Sequence, residues 1–395
     1  MNILLITADD LNADACGCFG CVVPGTTPRI DRLAAEGMRF ERAHITIAVC
    51  QPSRAAMLTG RYPHRSGIEG FHRAPDESVP DVLDLLGPAG FYTGCIGKVT
   101  HTVPKGAARW DHAVDMPELG RGRDVSRYAE ETRAVVAAAR TAGRPFFLAA
   151  NSHDPHRPFH GSDQELYAWG VDFAATGLQP SRVYSPGEIT VPPFLPDLPE
   201  VRQEMAEYYS SVRRFDDCVG AILDALDESG AAADTLVLLS TDHGMPLPFA
   251  KTNCYHHSTR TPLIVRWPGV TTAGSVDSGH FVGGIDFLPT FLEAACVDAP
   301  ADLDGRSIVP LLQGQPQTKR DRVYTQFHET AGKRRYPMRA IHDPRYLYIF
   351  NPWSDGVREF LNESQSGRSF VAMQAAAADD PAIAERVRQF VYREP

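Results

Sequence analysis

The sequence predicts an α/β fold: a large, mostly parallel central sheet flanked by helices, followed by a small C-terminal α+β subdomain. Three observations carry this. Short apolar strands alternate with segments of helical spacing along most of the chain. Four of those strands end in acidic, imidazole or ammonium side chains, the edge at which open parallel sheets place their ligands. After about Pro310 the alternation gives way to strands and a Pro-initiated helix, which divides residues 1–315 from 316–395.

In chain order, Ile3–Thr7 reads as a buried strand ending in Ala8-Asp9-Asp10. Pro28–Glu36 has helical spacing, with Ile30, Leu33 and Ala34 on one face. Ser53–Leu58 begins a helix after a proline, and Val82–Leu86 is a short helix closed by Gly87-Pro88. Tyr92–Ile96 is a strand running into Gly97-Lys98, and Ser126–Ala142 is a helix rich in Ala and Arg. Pro145–Ala150 is a strand running into Asn151-Ser152-His153-Asp154-Pro155-His156. Residues 161–199, rich in Pro, Ser and Gly, read as loop, and Val201–Glu228 carries the longest helical pattern. Thr235–Ser240 is a strand ending in Thr241-Asp242-His243-Gly244, Pro262–Trp267 is a strand and Ile285–Ala295 a helix. In the C-terminal part, Arg322–His328 and Tyr346–Phe350 read as strands, and Pro381–Val391 as a helix with Pro in its first turn.

Composition excludes several classes. Hydrophobic residues make up 43% and charged residues 22% of 395, the proportions of a globular protein and not of a disordered chain, coiled coil or collagen. No apolar run approaches the roughly 18–20 residues of a membrane span. A net charge of −10 disfavours a nucleic-acid partner but leaves room for a local cationic pocket that takes an anionic small molecule. Eight cysteines give no dense disulfide framework. Met1 leads straight into a strand, with no basic region or cleavage site before it, so the expectation is a cytoplasmic protein, or a periplasmic or secreted one whose leader has been removed.

The strand ends point to one composite site. Asp9, Asp10 and Asp242 would repel one another at a shared sheet edge unless a cation lay between them, and three carboxylates suit a hard divalent ion: Ca²⁺, Mg²⁺ or Mn²⁺. His243 adds a nitrogen and makes the set less purely oxygen. The competing reading is that Asp-Asp after a strand caps a turn or helix. Cys50, just before a Pro-initiated helix, would sit at a positive helix end that favours a thiolate or a bound anion; the competing reading is a buried, inert thiol.

Cys50-Gln51-Pro52-Ser53-Arg54, followed by Ala-Ala-Met-Leu-Thr-Gly-Arg, resembles the signature of the type I sulfatases. Leu4–Asp10 is similar to the family's opening strand and metal-binding pair. Gly97-Lys98-Val99-Thr100-His101 resembles its Gly-Lys-x-His segment with the longer spacing of the iduronate 2-sulfatases. Ser152–Arg157, the Val191–Pro196 block, Lys251–Tyr255 and Tyr336–Arg339 resemble the N-sulfoglucosamine sulfohydrolase (heparan N-sulfatase) branch, and the likeness covers roughly residues 2–350. The family's usual Glu-Leu-Tyr-Asp and Asp-Pro-x-Glu tail is the expected segment not found before Pro395.

The resemblance implies an alkaline-phosphatase-like fold and hydrolysis of a sulfate ester or sulfamate, on a sugar of the N-sulfoglucosamine kind. It also implies oxidation of Cys50 to Cα-formylglycine by a formylglycine-generating enzyme. Asp9, Asp10, Asp242 and His243 would then hold one divalent ion, Ca²⁺ being usual; the heparan N-sulfatase branch has Asn where His243 stands. Arg54 would position the formylglycine, Lys98 and Lys251 would contact sulfate oxygens, His156 would donate a proton to the leaving group, and His101 would orient the aldehyde hydrate. The hydrate attacks sulfur and the resulting hemiacetal expels sulfate, an exit that a Ser or Cys side chain lacks. His153, Arg157, Asn253, His328, Glu329 and Arg339 are the candidate substrate contacts. Ordinary second-layer or surface roles compete with several of these. The rival functions are a phosphonate monoester or phosphodiester hydrolase of the same superfamily and a non-catalytic sulfated-glycan-binding protein. Neither a nucleic acid nor a membrane is expected as partner, and a homo-oligomer stays open. Cys16, Cys18 and Cys21 lack the spacing of a zinc module, His256-His257 reads as a solvated loop pair or a substrate contact, and Asp216-Asp217 as a solvated helix face.

Overall fold

The computed structural model describes the chain apart from residues 72, 74–75, 103–105, 164–177 and 393–395. The predicted loop 161–199 is therefore seen only at its two ends.

Among the described residues eight strands form one sheet, in the order β5-β4-β6-β1-β7-β8-β2-β9. The strands are β1 (Asn2–Ala8), β2 (Met38–Phe40), β4 (Tyr92–Ile96), β5 (His112–Val114), β6 (Phe146–Asn151), β7 (Thr235–Thr241), β8 (Ile264–Arg266) and β9 (Ser275–Asp277). From β5 to β7 every pairing is parallel, while β8 runs against both of its neighbours. The predicted sheet is thus mostly parallel.

The side-chain alternation of a strand explains the layers. In β1, Leu4, Ile6 and Ala8 pack on one face and Ile3 and Leu5 on the other. In β7, Val237 and Leu239 face the first side, Leu236 and Leu238 the second. Both faces of the sheet are covered, so its central strands are apolar throughout. One cover holds the helices Pro28–Glu36, Val125–Thr141 and Pro199–Glu228; the other holds Val82–Leu86 and Phe287–Ala294.

Asp216 overturns the reading of Asp216-Asp217 as a solvated face. Its carboxylate is fully buried and accepts backbone N–H bonds from Arg29 (3.0 and 3.1 Å) and Ile30 (2.8 Å). It caps the Pro28–Glu36 helix from across the layer, where Thr27 makes no cap bond of its own. A local helical pattern does not reveal a cap supplied by another helix.

Two short strands, β3 (Ala43-His44) and β10 (Val282-Gly283), pair beside the sheet. A second, antiparallel sheet of β11 (Val323–Glu329), β12 (Arg335–His342) and β13 (Leu347–Phe350) follows, with helices Arg368–Ala376 and Pro381–Tyr392. The strand β12 and the helix Arg368–Ala376 were not foreseen. These C-terminal elements bury Phe327, Tyr336, Met338, Phe360, Phe370 and Phe390 in the same apolar cluster as β1 and β7. They also touch the segment before Cys50: Gln326 N donates to Thr46 O at 2.9 Å. No helix of the described residues is long and apolar enough to cross a membrane.

Candidate active site

The carboxyl ends of β1, β4, β6 and β7 converge, and the predicted residues arrive with them. Asp9 and Asp10 follow β1, Lys98 follows β4, His153 and His156 follow β6, and Asp242 and His243 follow β7. Two residues leave their strands in the left-handed region, Asp10 (φ +72°) and Lys98 (φ +51°), which is uncommon outside glycine and is held here by the packed surroundings. Gly97, at φ +74°, is required: a Cβ there would lie 2.1 Å from Asn151 O.

Cys50 opens the helix Cys50–Thr59 and is buried. Its Sγ is 3.5 Å from Asp9 Oδ1 and 3.3 Å from His243 Nε2. Burial, then the negative charge of Asp9, pushes the thiol well above its usual range, so as a cysteine it is protonated and no thiolate nucleophile. One turn on, Arg54 lies under the site. It donates to Thr7 Oγ1 (2.6 Å), Asn151 Oδ1 (2.8 Å), Ala8 O (3.2 Å) and Asp242 Oδ2 (3.1 Å), tying β1, β6 and β7 together below Cys50.

The site is dominated by its charges. Lys98 pairs with Asp9; Lys251 Nζ pairs with Asp10 at 2.9 Å and with Glu363. His243 Nδ1 lies 3.1 Å from Asp10 Oδ1, His153 Nδ1 3.4 Å from Asp9 Oδ2, and His156 Nε2 3.9 Å from Asp10 Oδ2. Burial raises the Asp9 carboxyl, but Lys98 and the histidines outweigh it and hold the group well below the usual range. Asp10 goes the other way: burial, with Asp9, Glu363 and Asp242 nearby, outweighs Lys251 and drives it well up. Asp242 is raised by burial and by Asp9. Lys98 meets Asp9 Oδ2, and Lys251 Nζ and His243 Nδ1 meet Asp10 Oδ1. The Asp10 and Asp242 carboxyls stay raised nonetheless, so the carboxylates are crowded and a divalent cation would relieve them.

The ligating atoms fit one. Those of Asp9, Cys50, Asp242 and His243 lie within 4.8 Å of one another, and so do those of Asp9, Asp10, Cys50 and His156. Each group has two carboxylates and one imidazole beside Cys50, they share Asp9 and Cys50, and oxygen and nitrogen ligands of this kind suit a hard or borderline divalent ion.

Cys50, Lys98, His101, His153, His156 and Lys251 line a cavity of about 710 Å³, together with Arg334, Asn362 and Glu363 of the C-terminal part. His153 and His156 stack with ring centroids 4.6 Å apart, and both are pushed well below the usual imidazole range, first by burial, then by Lys98 at His153 and by Lys251 at His156.

The remaining candidates lie around the cavity. Asn253 is buried and holds the Lys251 loop, donating to Lys251 O at 2.7 Å and accepting from Tyr255 N at 2.8 Å. Arg157 pairs with Glu204 of the long helix at 2.7 Å. His328 contacts Glu69 (3.1 Å) and Gln326 (2.9 Å), and Glu329 pairs with Arg73. Arg339 is exposed and lines a separate cavity of about 200 Å³ with Tyr62 and His64. Cys16, Cys18 and Cys21 belong to no described ligand cluster.

Sequence reasoning missed Glu363, which comes from the C-terminal segment at the turn Glu363–Ser366 and had no strand-end position to mark it. Lys251 holds its carboxyl down at about 2 against burial. Also missed were Asp154, with Arg123 and Arg214 around it, and Asn151. Asn151 did carry a signal, as a polar residue closing an apolar strand.

A family model described as "Sulfatase" matches residues 1–297, and one described as "N-sulphoglucosamine sulphohydrolase, C-terminal" matches residues 242–361. The chain is 31% identical to human N-sulphoglucosamine sulphohydrolase over 373 residues, covering 89% of this chain and 73% of the relative. It is 28% identical to an ulvan-active sulfatase of Formosa agariphila, covering 89% and 66%. Among solved structures, one of a protein in complex with its substrate D-glucosamine-2-N,6-O-disulfate superposes with a TM-score of 0.69 at 20% identity, over 98% of this chain and 97% of that one. The phosphonate monoester hydrolase of Agrobacterium radiobacter gives 0.69 at 18%, over 98% and 93%. At these identities the likeness to the two structures concerns the fold alone.

Proposed function

This chain belongs to the sulfatase family, and from that premise we propose that it hydrolyses the sulfamate or sulfate ester of an N-sulfoglucosamine-like sugar, with formylglycine derived from Cys50 as nucleophile. The observation that carries the chemistry is the meeting of Cys50 with two lysines on one cavity, with the buried carboxylates Asp9 and Asp10 paired behind them. What supports the sugar is the 31% identity to the human sulphohydrolase and the C-terminal match, which spans Lys251, His328, Glu329 and Arg339.

In this reading Asp9, Asp10, Asp242 and His243 hold one divalent ion, Ca²⁺ first, with Mg²⁺ or Mn²⁺ as alternatives; when bound it adds positive charge beside the sulfonate. Maturation of Cys50 supplies an aldehyde hydrate whose hydroxyl is the nucleophile, and that maturation requires a formylglycine-generating enzyme as partner. The protein's own groups do the rest. The ammonium groups of Lys98 and Lys251 face the cavity and cancel the repulsion between nucleophile and anion. Arg54 fixes the helix and strands beneath Cys50, and His101 orients the hydrate. Burial, then Lys251, lowers the His156 imidazole; an anionic sulfonate favours its protonated form and so readies it to protonate the departing amine or alkoxide. His153 faces the sugar, and Arg157, Asn253, His328 and Glu329 place it by holding the segments around the cavity, whereas Arg339, on a separate cavity, stands apart from it.

The test begins with the tryptic peptide Ala43–Arg54. Formylglycine replaces sulfur with oxygen and removes two hydrogens, and the aldehyde traps a hydrazide. Matured protein should then release sulfate from N-sulfoglucosamine faster than it cleaves an aryl phosphodiester. Unmodified Cys50 in the presence of a competent maturing enzyme, or faster phosphodiester cleavage, would overturn the proposal.

A further inference from the structure

Three histidines meet outside the catalytic cavity. His44 ends β3, His256 opens the short helix His256–Thr259, and His342 ends β12. Their ring centroids are 4.4 Å (His44–His342), 5.5 Å (His44–His256) and 6.3 Å (His256–His342) apart. One ring nitrogen from each comes within 4.8 Å of the others. The three elements are far apart in sequence, so the convergence is a product of the tertiary fold.

The surroundings suit ligation. His44 and His342 are 3% exposed, whereas His256 is exposed and gives the cluster a path to solvent. His44 Nδ1 lies 3.1 Å from Thr259 Oγ1 and His342 Nε2 3.5 Å from Thr325 Oγ1, which leaves the other ring nitrogen of each for a ligand. The two buried imidazoles are held towards the neutral form, the one that binds metals. Burial, followed by neighbouring imidazoles, lowers His342 to about 4 and His44 well below its usual range. Arg260, the nearby cation, is itself paired with Asp14 at 2.5 Å.

We propose that His44, His256 and His342 form a second metal site, for a borderline divalent ion of the Zn²⁺ class, with a fourth position open to solvent beside His256. An all-imidazole set disfavours Ca²⁺ and Mg²⁺ and suits Zn²⁺, Co²⁺, Ni²⁺ or Cu²⁺. The site differs in chemistry from the carboxylate cluster at the strand ends, and its position gives it a use. It joins β3, which leads through Ile45–Val49 into Cys50, to the segment following Lys251 and to the C-terminal sheet. A bound ion would tie the β3–β10 pair, the His256–Thr259 helix and the C-terminal sheet together beside the catalytic helix.

The experiment uses the full chain, stripped of metal with a chelator and then dialysed against Zn²⁺ with Ca²⁺ in excess. The wild type should retain one Zn²⁺ per chain, and Co²⁺ in its place should give the visible bands of a four-coordinate nitrogen site. His256→Ala, at an exposed position where folding is not at stake, should lose that equivalent and its thermal upshift with Zn²⁺, while Asp9→Asn should keep both. Absence of retained Zn²⁺ in the wild type, equal retention in His256→Ala, or loss in Asp9→Asn but not in His256→Ala would overturn the assignment.

Discussion

Asp154 and the Asp9-Asp10 pair are all fully buried, at the ends of adjacent strands β6 and β1, yet they are built to different ends. Asp154 is saturated: Arg123 Nε (3.1 Å) and Arg214 Nε and Nη2 (2.6 and 3.1 Å) all donate to it. Asp9 and Asp10 are met instead by Lys98 and Lys251, whose ammonium groups also line the cavity. Burial alone therefore does not mark a functional carboxylate. The distinguishing feature is compensation by groups that themselves face a ligand.

The comparison can be broken at either side. Asp242→Asn should lower kcat/KM by more than about 10³-fold with a smaller stability loss than Asp154→Asn, because its carboxyl is raised by burial and by Asp9 and it pairs with one buried guanidinium, Arg54, where Asp154 pairs with two. Asp154→Asn should instead cost about 3–5 kcal/mol of stability, since two buried guanidinium groups lose their counter-charge; denaturant unfolding measures it. An unchanged stability there, or a large loss in Asp242→Asn, would erase the distinction. His156→Gln should reduce kcat by about 10²-fold or more, with a larger deficit on substrates whose leaving group is strongly basic.

Asp216 sharpens the contrast through pH. Its carboxyl is raised from 3.8 to about 7, first by burial. The folded state therefore holds a proton that the unfolded state releases, and this group's contribution to stability is full below pH 3.8 and is lost as pH rises towards 7. Asp216→Asn should flatten the slope of stability over that window, read from chemical unfolding at several pH values. The smallest effect is expected from Glu363→Gln. Freeing Lys251 of one of its two carboxylates should change KM for a sulfated sugar by a few-fold, roughly 1 kcal/mol, with kcat little altered.

Much of the molecule was legible in one dimension. Apolar strands of the parallel sheet have no alternation to obscure them, so β1, β4, β6 and β7 stood out, and the polar residues at their ends could be read as one site. The helices Pro28–Glu36 and Val82–Leu86 and the strand β4 were predicted to the residue, because a proline, a capping aspartate or a glycine punctuates each. The short strands β2, β3, β5, β9 and β10 were not foreseen: two or three residues carry too little pattern, and neighbouring strands define them.

Local chemistry and spacing in the sequence determined the family signature around Cys50, the strand-end acids and histidines, and the division of apolar faces. The tertiary structure alone decided which carboxylates are compensated, that Glu363 reaches Lys251 from the C-terminal segment, that Asp216 caps a helix in another part of the chain, and that His44, His256 and His342 meet. The physical reason is range. Helical and strand periodicity are properties of a few consecutive residues, whereas electrostatic compensation and ligand geometry depend on distances between groups that the chain brings together only by folding.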